Sequence, residues 1–126
     1  MISPRLLMAV IGAVVLSAMS PLRAHHSFAA QYDRNRPVTL QGVVTKLEWT
    51  NPHIYFYLDV KERSGAVAKW AIEGGAPNIL YRAGWRKDSL PIGGTVTVEG
   101  FLARDGSKLA NMRTVILADG KHIFGN

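Results

Sequence analysis

The chain has 126 residues, no cysteine, a formal net charge of +6, and 48% hydrophobic against 9% aromatic residues. That is enough chain for one small domain with a single core. The absence of cysteine excludes disulfides and thiol chemistry, and a charge of this size favours anionic surfaces only mildly.

Residues 1–24 read as a secretory signal peptide. Arg5 gives a basic start, Leu6 to Ala18 is apolar apart from Gly12 and Ser17, and Ser20-Pro21-Leu22-Arg23-Ala24 forms a polar exit with a small residue at the cut. The apolar run is too short, and too closely followed by Pro21 and Arg23, for a membrane span. The expected product is periplasmic or secreted, has no stable span after processing, and begins at His25. A cut after Ala29, with Ser27 three residues back, is the other reading. Loss of Arg5 and Arg23 leaves a net charge of about +4. Met112 becomes the sole methionine, which excludes a methionine-rich copper(I) site.

Residues 25–37 are expected to be a polar lead-in that ends at Pro37, and residues 38–126 to be the folded domain. From Val38 to Trp49 the apolar alternation predicts a first strand. Its phase slips at Gly42, which is expected to be a β-bulge that bends the strand. Thr50-Asn51-Pro52-His53 turns the chain. A second strand follows, with Ile54, Phe56, Leu58 and Val60 on one face and Tyr55, Tyr57 and Asp59 on the other. Val67 to Glu73 is a third strand, and Pro77 to Gly84 marks a short helix between a permissive start and a stop signal. Thr95 to Leu102 and Lys108 to Leu117 are the fourth and fifth strands, joined by the turn Arg104-Asp105-Gly106-Ser107. Asp119-Gly120 then leads into a tail. The expected fold is all-β with one short helix, a five-stranded OB-like Greek-key barrel. An antiparallel β-sandwich is the alternative.

In such a barrel, ligands meet the face of strands 2 and 3 and its bordering loops. That places His53, Tyr55, Tyr57, Arg104 and Lys108 around one mouth. The competing reading is ordinary solvent-facing strand residues, since tyrosine is a good strand former. The pair His25-His26 carries a sharper expectation. After cleavage at Ala24 the free α-amino group and the imidazole of His25 can close a chelate ring on one ion. His26 adds a second imidazole, and His53 or His122 can supply a third. Nitrogen donors of this kind suit copper, so copper is the candidate cofactor. Against it stands the simpler reading of two polar residues at a frayed terminus.

No Gly-x-Ser-x-Gly surrounds any serine, and no pair of carboxylates sits in an apolar neighbourhood, so no enzyme is expected. Gly74-Gly75 and Gly93-Gly94 lack a following Lys-Ser/Thr and read as turns. Glu73-Gly74-Gly75-Ala76-Pro77-Asn78 is less settled, because two glycines before a helix can expose amides to an anion or let the chain turn tightly. Export and the modest mature charge argue against nucleic acid. The chain is expected to bind rather than catalyse. It uses either a copper-type site at the mature N-terminus or, free of metal, the face of strands 2 and 3 for a periplasmic protein partner or small ligand.

The blocks His25-His26-Ser27-Phe28-Ala29-Ala30, Pro37-Val38-Thr39-Leu40-Gln41-Gly42, Glu48-Trp49-Thr50-Asn51-Pro52-His53, Glu73 to Asn78, Gly84-Trp85 and Val96-Thr97-Val98-Glu99-Gly100 span essentially the whole mature chain. In these the sequence resembles small exported bacterial proteins of one uncharacterised family, the domain of unknown function 6152. The resemblance implies export and a compact β-rich domain. It implies no activity.

Overall fold

The structure is a computed structural model and describes residues 27–124. The expected signal peptide, His25 and His26 lie outside the described residues. In chain order the elements are α1 (Ser27–Gln31), β1 (Tyr32–Glu48), β2 (Tyr55–Lys61), β3 (Val67–Glu73), α2 (Pro77–Arg82), β4 (Thr95–Ala103), β5 (Leu109–Leu117) and β6 (His122–Phe124). The domain is mostly β, as the alternation implies. The described residues form six strands and two short helices where five and one were expected, because α1 and β6 come from the segments read as lead-in and tail.

β1 is long enough to serve two neighbours. Val38 to Val43 pairs antiparallel with β4, and Val43 to Glu48 pairs antiparallel with β2. β2 continues to β3, β4 continues to β5, and β3 runs parallel to β5 through Ala71, Ile72 and Glu73. The strands β3-β2-β1-β4-β5 thereby close into a ring, with β6 added outside β5. Closure leaves one hydrogen-bonded ring in place of the two facing sheets of a sandwich.

The irregularity in the pairing of β1 with β2 is not at Gly42. Leu40, Gly42 and Val44 are all buried, so the inner face keeps its phase through Gly42. The register shifts between Val44 and Lys46. The adjacent β-branched pair Val43-Val44 fits either parity on paper, and burial selects Val44, leaving Val43 39% exposed. Gly42 has a different task. A Cβ there would stand 2.6 Å from the Asp59 carbonyl oxygen, so only glycine lets β1 approach β2 this closely. β1 also starts earlier than Val38. Tyr32 pairs with Ala103, the register breaks before Pro37, and pairing resumes there. A proline at such an irregularity removes no ladder bond.

Phe56, Leu58, Ile72, Val98 and Val115 are fully buried inside the ring. Each contributes roughly 1.5–3 kcal/mol by leaving water. Leu80 of α2 and Trp85 just after it, each 1% exposed, pack into the same core. That burial holds α2, whose six residues are too few to be stable alone.

Candidate functional site

The seam where β3 meets β5 carries the polar centre of the molecule. Glu73 ends β3, faces Tyr55 of β2 on one side and Asn111 of β5 on the other, and is only 7% exposed. Its neighbour Ile72 points into the core, so strand alternation alone would turn Glu73 toward solvent. Burial comes from the start of the described chain. Tyr32, 2% exposed, and Phe28 of α1 lie over the seam, their rings 5.5 Å apart. Arg104 holds α1 in place, its Nε donating to the Ala29 carbonyl at 2.7 Å and its amide to the Gln31 carbonyl at 2.8 Å.

Tyr32 and His53 reach the carboxylate, and the Tyr55 hydroxyl bonds to it as well. The Tyr32 hydroxyl donates to Oε2, and His53 Nδ1 lies 2.7 Å from Oε1. Burial, then the hydrogen bond to Glu73, raises the Tyr32 phenol well above its ordinary range. The Tyr55 phenol is pushed up to about 12, by burial first and then by the negative charge of Glu73. The turn carrying His53 is locked to the seam by the backbone: Gly74 N–H donates to the Ile54 carbonyl at 2.9 Å, and Ile54 N–H donates to the Gly75 carbonyl at 3.0 Å. This accounts for the glycine pair. The Gly74 amide is used in holding the turn, which favours the tight-turn reading over an anion cradle.

A cavity of about 180 Å³ opens here, lined by Phe28, Gln31, Tyr32, His53, Glu73, Gly74, Gly75 and Asn111. Asn111 is 8% exposed, and its Oδ1 has no hydrogen-bond partner among the described residues. With Nδ1 committed to Glu73, the His53 ring is fixed and Nε2 makes no hydrogen bond to a described residue. A carboxylate bonded to one ring nitrogen fixes the orientation and tautomer of the other.

The residues expected around one mouth are divided among several local partnerships. His53 and Tyr55 meet at Glu73. Tyr57 instead donates to Glu48 at 3.1 Å, and Glu48 is also paired with Lys46 at 2.7 Å. Arg104 is the clamp on α1 and lies 3.8 Å from Asp33. Lys108 pairs with Glu62 at 3.2 Å and sits over the Trp70 ring. His122 is exposed on β6. Among the described residues no cluster of three or more His, Cys, Asp or Glu is arranged to hold a metal, so a metal at His53 needs ligands from outside them. Tyr32, Glu73 and Asn111 were not singled out as site residues from sequence. The unsettled segment beginning at Glu73 was their one trace.

Among the described residues no helix is long and apolar enough to cross a membrane. A family model, described as a family of unknown function (DUF6152), matches residues 13–112. No curated protein and no solved structure matches the chain.

Proposed function

The chain belongs to the family of unknown function DUF6152, and within it we propose an exported binding protein that holds a copper-type ion between the mature N-terminus and His53. One observation carries this reading: the imidazole of His53 is fixed through Nδ1 by buried Glu73 in a cavity that Phe28 also lines. Phe28 is two residues beyond His26 and three beyond His25, and extended chain of those lengths spans about 7 and about 10 Å. The imidazoles of His25 and His26 and the new α-amino group are therefore within reach of Nε2 of His53. Three imidazoles and an amine form a nitrogen set that binds copper(II) ahead of other first-row divalent ions. Arg104 supports the same reading, because it anchors the helix that immediately follows the histidine pair.

The test is copper(II) titration of the processed protein, followed by its visible d–d absorption, after mass spectrometry has identified the first residue. His53→Ala should weaken binding by at least about tenfold, and Glu73→Gln by roughly tenfold through loss of ring orientation. A chain beginning at Ala30 should lose the site. Equal affinity in wild type and His53→Ala would refute a shared site.

A further inference from the structure

We propose that the cavity beside Glu73 binds the ammonium group of a small primary amine. This does not rest on the metal reading and uses the inner, acceptor-rich end of the cavity. Glu73 is a buried carboxylate, yet among the described residues no lysine or arginine pairs with it; its one ion-pair partner there is the imidazole of His53. A buried anion without a lasting counter-charge is costly, and a cation brought alongside recovers that cost. Hydrogen-bond capacity points the same way. Tyr32, His53 and Tyr55 all reach the oxygens of Glu73, and since a carboxylate offers about four acceptor sites, about one is left. Asn111 also lines the cavity, and its Oδ1 is a second acceptor, buried and without a partner among the described residues.

The group that this lining fits is a positively charged hydrogen-bond donor, and an ammonium has three N–H bonds to give. Phe28 and Tyr32 supply an aromatic wall for the adjoining carbon chain. A volume of about 180 Å³ suits a molecule of a few heavy atoms. An anion of the same bulk is repelled by Glu73, and a neutral alcohol leaves its charge uncompensated.

The experiment uses the processed chain, stripped of metal, in ¹H–¹⁵N NMR titrations with propylammonium, propionate and 1-propanol as separate probes. Propylammonium should give saturable shifts at the Gly74 and Gly75 amides and the Asn111 side-chain amide. The other two probes should not. Glu73→Gln should weaken propylammonium by at least about tenfold, the loss of a charge-assisted hydrogen bond. Asn111→Leu removes the second acceptor at similar volume and should weaken it about threefold or more. If Glu73→Gln fails to fold, Asn111→Leu with a native-like spectrum carries the test. Absence of saturation, as for a cavity holding only water, overturns the proposal. So does an equal response to propionate, or wild-type affinity in the folded variants.

Discussion

Tyr32 and Tyr55 lie in the field of one carboxylate, and this makes the alkaline limb of stability a residue-scale readout of the site. Each phenol ionises near 10.0 in an unfolded chain. In the folded protein Tyr55 is held protonated up to about 12, by burial and then by the Glu73 charge, and Tyr32 shifts in the same direction through burial and its bond to Glu73. A folded pKa above the unfolded one means that the stabilisation is complete below the unfolded value. It drains away as pH rises through the folded value, because the unfolded chain releases its protons first. Urea unfolding midpoints should therefore hold up to about pH 9.5 and fall between about pH 10 and 12. Lysines also titrate in that window, so the informative quantity is the difference between wild type and Tyr55→Phe. The variant should fall less steeply. Identical slopes would mean that Tyr55 does not feel Glu73.

At the scale of elements, irregularities place the site more than regular strand does. β4 and β5 slip register between Glu99 and Gly100, and a Cβ on Gly100 would lie 1.8 Å from the Asn111 carbonyl oxygen. Backbone against backbone cannot yield by a rotamer change, so Gly100→Ala must part the two strands. It should cost about 3 kcal/mol or more in chemical denaturation, and it should disturb the Asn111 environment even where the domain still folds. A loss below about 1 kcal/mol would show that the strands are not so closely apposed. Legibility follows the same division. β2 and β3 could be read from sequence because Ile54, Phe56, Leu58 and Ile72 keep strict period two. The slip in β1 was placed at Gly42, since Val43 and Val44 satisfy either phase and only packing decides between them. Residues 32–37 offered nothing to read. Asp33-Arg34-Asn35-Arg36 has no apolar period, and the pairing with β4 is made on either side of it, at Tyr32 and from Pro37 onward.

The whole molecule is a closed ring with a cover, and its site lies between the two. His53 was visible in sequence as a polar residue in a turn. Glu73, Asn111 and Tyr32 were not, because strands distant in sequence bring them together, with α1 packed beside them. Ring and cover should differ in stability. Amides of β2, β3 and β4 around Leu58, Ile72 and Val98 sit in a continuous hydrogen-bonded core and should exchange only through global unfolding. α1 is five residues long and is held by Phe28 against Tyr32 and by the Arg104 bonds to Ala29 and Gln31, so it should open locally. Arg104→Ala removes the side-chain bond and keeps the backbone one. A hydrogen bond from a charged group is worth about 1.5 kcal/mol, so exchange in α1 should rise roughly tenfold while ring amides keep their rates. Should α1 and the ring accelerate together, the cover would be part of the global folding unit, and entry to the Glu73 cavity would require unfolding the barrel rather than lifting one helix.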